Sequence, residues 1–295
     1  MLDQAEKLRK LMKGSPEQVP SSVIKARSGK SRVITVTSGK GGVGKTNFTV
    51  NLALALAKQG KKVLIVDADL GMGNVDIVLG CSSPYNILHL LEHGFSLVDI
   101  INDGPCGVKF MSGGSGIYNL ANLNDIQLTT IVNQISLLDD LVEIILIDTG
   151  AGIHKSVMNF VAAADEVVVV TTPEPTAITD AYAMIKTYRT YSQDAMVHLV
   201  VNRVSEVKEG NLTADKLIMA SQKFLRFPIH NLGFVYEDSN LVKAVKKQMP
   251  LLVAFPESAS ARCINQIAAS LLYGAKMEQK KGIRGVFNRF LELIR

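Results

Sequence analysis

One stretch, Val33-Ile34-Thr35-Val36-Thr37-Ser38-Gly39-Lys40-Gly41-Gly42-Val43-Gly44-Lys45-Thr46, sets the terms for the rest of the chain. An apolar, β-branched run passes into a glycine-rich turn, and a helical pattern opens at Lys45-Thr46. Gly39, Gly44, Lys45 and Thr46 satisfy G-x-x-x-x-G-K-[ST]. Glycines let consecutive backbone N–H groups turn toward one anion, and the helix N-terminus adds its positive dipole end. Lys40, Gly41, Gly42 and Val43 complete the loop. Lys45 is placed to reach the β- and γ-phosphates of a nucleoside triphosphate and Thr46 to hold Mg²⁺. The alternative, an ordinary glycine-rich turn, is disfavoured because strand and helix flank the loop in the required order.

Downstream, Val/Ile-rich runs alternate with helical patterns. Strands are expected at Val63–Val66, near Val108–Met111, and at Ile144–Ile147, Val167–Val170, Val197–Val201 and Leu232–Val235. Helices are expected after the loop to Gly60, at Asp125–Leu138, Ser156–Ala164, Thr176–Thr190 and Thr213–Phe227, and from Ser239 and Ser258. Continuous apolar strands separated by helices indicate an α/β fold, a mostly parallel, doubly wound sheet covered on both faces. Ligands in such sheets sit at the carboxyl ends of the strands. Asp67 and Asp69 follow one strand there and Asp148 follows another. Carboxylates at that edge, beside a phosphate loop, suit Mg²⁺ coordination through water and the positioning of a nucleophilic water. The bland alternative is that they cap the next helix.

The chain has 295 residues, enough for one large core with short appendages. Its net charge of +5 is uneven: residues 1–32 carry +5, residues 276–295 carry +4, and the middle is left with −4. That middle speaks against a broadly basic nucleic-acid surface. Cys81, Cys106 and Cys263 form no C-x-x-C pair and read as reduced thiols of a cytosolic protein. Neither a signal peptide nor a run of about 18 apolar residues is expected. His89-Leu-Leu-Glu-His93 matches the H-x-x-E-H zinc motif, but no third ligand is evident and a pair of surface histidines is the simpler reading.

The second lysine in Lys40-Gly-Gly-Val-Gly-Lys45-Thr46 resembles the phosphate loop of the MinD/ParA family of dimeric ATPases. That resemblance covers about residues 33–275 and implies that Lys40 crosses a dimer interface to the partner's nucleotide. Asp67-Ala-Asp69-Leu-Gly-x-x-Asn74-x-Asp76 is similar to the family's first switch loop. It implies that Asp69 aligns the attacking water, Asp67 sits near the metal and Asn74 lines the dimer interface. Asp148-Thr-Gly-Ala-Gly152 is similar to the second switch, implying that Asp148 holds an Mg²⁺-bound water. Val200-Val201-Asn202-Arg203 resembles the adenine-reading step, with Asn202 pairing with the base edge and Arg203 stacking on it. Val235-Tyr236-Glu237-Asp238 resembles the loop closing the other side of the base, with Tyr236 there.

The ends carry the remaining signals. Ile283, Val286, Phe287, Phe290, Leu291 and Ile294 form one helical face, ringed by Lys276, Lys280, Lys281, Arg284, Arg289 and Arg295. This suits an anionic membrane surface, and it resembles the terminal targeting helix of MinD-type proteins; the alternative is a helix docked on the protein's own core. At the other end, Asp3-Gln4-Ala5-Glu6-Lys7-Leu8-Arg9 resembles the D-Q-A-x-x-L-R segment of FlhG (YlxH, FleN) flagellar-number regulators. It implies activation of FlhF, a signal-recognition-particle-type GTPase, through Gln4, and flagellar C-ring proteins as partners.

The expected organisation is an N-terminal activating peptide and linker (1–32), an ATPase domain (33–275) and a membrane-targeting helix (276–295). The expected function is slow ATP hydrolysis with ATP/ADP and Mg²⁺, in a homodimer that gates residence on the inner face of the cell membrane. A MinD-type division-site ATPase and a ParA-like nucleoid binder are the alternatives.

Overall fold

The computed structural model describes residues 30–69, 73–92, 94–113, 120, 123–192, 195–274 and 280–294. In chain order these form β1 (Arg32–Ser38), α1 (Lys45–Lys58), β2 (Val63–Ala68), α2 (Val75–Leu79), α3 (Leu97–Ile100), β3 (Asn102–Asp103) and β4 (Lys109–Ser112). Then follow α4 (Asp125–Ser136), α5 (Leu138–Leu141), β5 (Ile144–Ala151), α6 (Lys155–Ala163), β6 (Glu166–Thr171) and α7 (Pro175–Tyr191). The rest is β7 (Met196–Val204), α8 (Val207–Ala220), β8 (His230–Tyr236), α9 (Ser239–Lys246), α10 (Leu251–Ala254), α11 (Ala259–Tyr273) and α12 (Gly282–Ile294).

Eight strands make one sheet in the order β3-β4-β2-β5-β1-β6-β7-β8. All pairings are parallel except β3 on β4. The alternation of side chains explains the burial on both faces. Ile34, Val36, Val63 and Ile65 pack under α1 and α11, whereas Val33, Leu64, Ile145 and Ile147 pack under α4, α6 and α12. The short antiparallel β3 was not legible in the sequence. The helix expected at Thr213–Phe227 is α8, which starts earlier, at Val207. Ser205 donates to Glu209 from its amide (2.7 Å) and its hydroxyl (2.8 Å) and so fixes the start. Gly210 sits inside α8 because a Cβ there would be 3.0 Å from the Phe234 ring. After α8 a π-type turn, Ser221–Leu225, ends the element at Arg226 (φ 48°).

At the amino-terminal edge a buried ion cluster ties three strands together. Arg32 pairs with Glu166 through Nε and through Nη2 (2.6 Å to Oε2), and its Nη1 donates to the Leu271 carbonyl at 2.7 Å. His198 Nε2 lies 3.0 Å from Glu166 Oε2.

The structure shows the docked seat for the C-terminal helix. Ile283, Val286, Phe287, Phe290 and Leu291 are buried, Ile294 is partly buried, and the Phe290 ring stacks on Phe160 with centroids 4.2 Å apart. The apolar face read as a membrane face therefore points into the core in this conformation. The reason is that α4, α6 and the adjoining strands leave an apolar trough that only such a stripe fills. Each side chain so buried is favoured by about 1.5–3 kcal/mol over exposure to water. No helix among the described residues is long and apolar enough to cross a membrane.

Candidate functional site

The phosphate loop joins β1 to α1 as the sequence requires. Gly44 precedes α1 in the left-handed region (φ 88°), and a Cβ there would sit 2.5 Å from Asn202 Nδ2. Gly39 is equally constrained, since a Cβ would meet the Asp180 backbone at 2.2 Å. Cβ atoms added at Gly41 and Gly42 would meet nothing within 4 Å. The loop is thus packed tightly at its two ends and open over its middle, where an anion would sit against the start of α1.

Asp148 is the centre of the site. It sits in β5 directly opposite Val36 of β1 and Asp67 of β2, and is 1% exposed. Three side chains at the start of α1 converge on it. Lys45 Nζ donates to Oδ1 at 2.9 Å, Thr49 Oγ1 to Oδ1 at 2.8 Å and Thr46 Oγ1 to Oδ2 at 2.7 Å. The motif assigned Lys45 and Thr46; Thr49 was missed, although its place one helical turn on was the available signal. The arrangement holds Lys45 and Thr46 in register through a buried carboxylate.

Asp67 lies beside Asp148 and is also buried. It accepts from the amides of Asp69 (3.1 Å) and Val75 (3.1 Å). Burial pushes its carboxyl up to about 6; those amides pull the other way, and the charges of Asp148 and Asp69 add to the rise. Asp69 is half-buried and reaches toward the second switch loop: a Cβ on Gly150 would lie 3.4 Å from its Oδ1. Asn74 is exposed just before α2.

Lys40 is seated within its own chain. Its Nζ donates to Thr176 Oγ1 at 2.9 Å and to Glu174 Oε2 at 3.2 Å, with 40% of the lysine side chain and 58% of the Glu174 side chain exposed. Such an exposed pair contributes about 0–1 kcal/mol, so the lysine is easily withdrawn. Glu174 and Thr176 were not singled out in the sequence, though they follow β6 at the ligand-bearing edge.

At the far side, Asn202 is buried at the end of β7 and donates from Nδ2 to the Val43 carbonyl at 2.8 Å. Arg203 is exposed in a left-handed conformation (φ 56°). Tyr236, half-buried on β8, pairs in register with Val204. The structure thus brings Lys45, Thr46, Asp67, Asp69, Asp148 and Asn202 around one loop. Gln4 lies outside the described residues, as does His93. His89 is committed locally, accepting at Nδ1 from the Asn86 amide at 3.1 Å. Among the described residues no group of three or more His, Cys, Asp or Glu could hold a metal ion. An Mg²⁺ bound with nucleotide fits here by a different route, through the Thr46 hydroxyl, phosphate oxygens and water-bridged carboxylates.

Comparison with known proteins agrees with this geometry. Residues 34–251 match the family model of the CobQ/CobB/MinD/ParA nucleotide binding domain. The chain is 38% identical over 237 residues to "Antiactivator FleN" of Pseudomonas aeruginosa, covering 80% of this chain and 85% of that protein. It is 37% identical over 272 residues to "Flagellum site-determining protein YlxH" of Helicobacter pylori, covering 90% and 92%. Among solved structures, MinD of the Aquifex aeolicus MinC:MinD complex superposes with TM-score 0.67 at 27% identity, covering 85% of this chain and all of that one. Pyrococcus horikoshii MinD, complexed with Mg-ADP, gives TM-score 0.65 at 25% identity, covering 84% and 100%.

Proposed function

Since the chain belongs to the MinD/ParA family of nucleotide-binding ATPases, in the group of FleN and YlxH, we propose that it is an ATP-gated membrane switch that regulates flagellum number and placement. The observation that carries the ATPase half is the convergence of Lys45, Thr46 and Thr49 on Asp148 beneath an open phosphate loop. In the nucleotide-bound state Lys45 turns from Asp148 to the β- and γ-phosphates, and Asn202, Arg203 and Tyr236 hold the base. Thr46, with Asp67 and Asp148 through water, would hold Mg²⁺, which neutralises charge developing on the phosphates. Asp69 aligns the attacking water. Lys40 leaves Glu174 and Thr176 for the nucleotide of a second copy, and Asn74 lies in the contact between copies.

The membrane half is supported by α12. Its apolar stripe loses contact with water in either seat, on the core or in a lipid interface, so the two seats compete closely. A dimer carrying two such helices binds a surface far more tightly than a monomer, because the second helix attaches at high effective concentration. Hydrolysis returns monomers whose helices dock again. The partners of this reading are an FlhF-type GTPase, reached through Gln4, flagellar C-ring proteins and an anionic membrane surface.

The flagellar assignment is tested by FlhF GTPase turnover with a synthetic peptide of residues 1–13, set against the same peptide carrying Gln4→Ala. Stimulation by the first peptide alone is expected. Equal rates with both peptides would leave a membrane-switch ATPase without this partner.

A further inference from the structure

Two carboxylates on the core each bind both ends of the described chain. Asp139, in α5, accepts at Oδ1 from the Ser31 amide (3.0 Å), the Ser31 hydroxyl (2.5 Å) and the Ile283 amide (3.0 Å). Asp165, fully buried between α6 and β6, accepts at Oδ2 from the Val33 amide (3.2 Å) and at Oδ1 from the Lys281 amide (2.8 Å). The lead into β1 and the start of α12 have no ladder between them; these two side chains join them. Gly282 permits the approach. It adopts φ +72°, and a Cβ there would be 2.8 Å from Asp139 Oδ2 and 3.0 Å from the Lys30 Cβ. We propose that Asp139 and Asp165 form a two-carboxylate bracket coupling the position of α12 to that of Ser31–Val33, so that undocking the helix also loosens the lead into β1, the point to which the segment carrying Gln4 is joined.

The coupling follows from how buried carboxylates are satisfied. Burial pushes the Asp165 carboxyl up, while the amides of Lys281 and Val33 and the Lys281 charge draw it back. When α12 leaves, Asp165 loses the Lys281 amide and Asp139 loses that of Ile283. Water then enters to solvate the oxygens and competes with the Ser31 and Val33 amides. By reciprocity, a partner that draws Ser31 away from Asp139 favours release of the helix. The device rests on the membrane-switch reading for its purpose: the activating segment would be presented where the helix is engaged. Its geometry and its test need neither nucleotide nor membrane.

The test is amide hydrogen exchange on the full chain, comparing wild type with Phe287→Glu/Phe290→Glu, which expels α12 through its apolar face and leaves both carboxylates in place. Amides 283–291 should lose protection, and those of Ser31 and Val33 should exchange at least about tenfold faster. Ile34–Val36, inside β1, report that the fold persists. Gly282→Ala, which disturbs the bracket without touching the apolar face, should loosen both ends in the same way. Free exchange across 283–291 with wild-type protection at Ser31 and Val33 would overturn the proposal. Coupled release of both ends in the variants, with no vesicle binding by the wild-type protein in Mg-ATP, would sink the membrane reading and leave the bracket standing.

Discussion

Asp148 accepts from Lys45, Thr46 and Thr49, all at the start of α1, and so orders the residues beneath the phosphate loop. On the proposed reading Asp148 positions these groups, and Asp69, half-buried at the mouth beside Gly150, aligns the nucleophile. Asp69→Ala should lower ATP turnover by about 10²–10⁴-fold in phosphate release and leave nucleotide binding in place. Turnover within a few-fold of wild type would move that role elsewhere. Asp67 gives a pH signature. Its folded carboxyl, raised to about 6 from an ordinary 3.8, binds the proton more tightly than the unfolded chain does. The buried charge therefore costs stability above pH 6, on the order of 2–3 kcal/mol, and the cost fades as pH falls from 6 toward 3.8. Thermal melts without nucleotide should show Asp67→Asn gaining on wild type at pH 8, with the gap narrowing to about half near pH 5 and closing below about pH 4. A gap independent of pH would contradict this.

At the scale of elements, the sheet is pinned at both edges by charge. The site edge is held by Lys45 on Asp148, the opposite edge by Arg32 and His198 on Glu166. Burial pushes the Glu166 carboxyl up, but the hydrogen bonds and charges of His198 and Arg32 outweigh it and hold it below its ordinary value. Its stabilising contribution is therefore complete above the ordinary carboxylate range and lost as pH falls through the lowered folded value. Glu166→Gln should destabilise the fold by about 3–5 kcal/mol in chemical denaturation, because it strands the Arg32 charge. Part of this architecture was legible in the sequence. Strand–loop–helix order, the parallel sheet and the loop residues follow from patterns within a few neighbouring positions, and they are where the sequence put them. The α8 boundary, the two-residue β3 and the Lys40 seat on Glu174 depend on contacts between distant segments, which no local period records. For α12 the stripe was visible but not what it covers, since core and lipid satisfy an apolar face equally.

In the whole molecule, the phosphate-loop site at the carboxyl edge of the sheet lies close to the seat of a helix docked on one face. The two are one residue apart in places. Ile147, which packs beneath α12, precedes Asp148, and Val66, packed against the same cluster, precedes Asp67. This adjacency is the route by which, on the proposed reading, a change of partner at either carboxylate reaches the helix. Vesicle flotation of the Asp69→Ala variant, on anionic lipid, in Mg-ATP and in Mg-ADP, tests this link most directly, with Lys45→Ala as the control that cannot read the nucleotide. The account predicts a lipid-bound fraction in ATP alone, absent in ADP and absent for Lys45→Ala in either. Equal binding in ATP and ADP, or none in both, would contradict it.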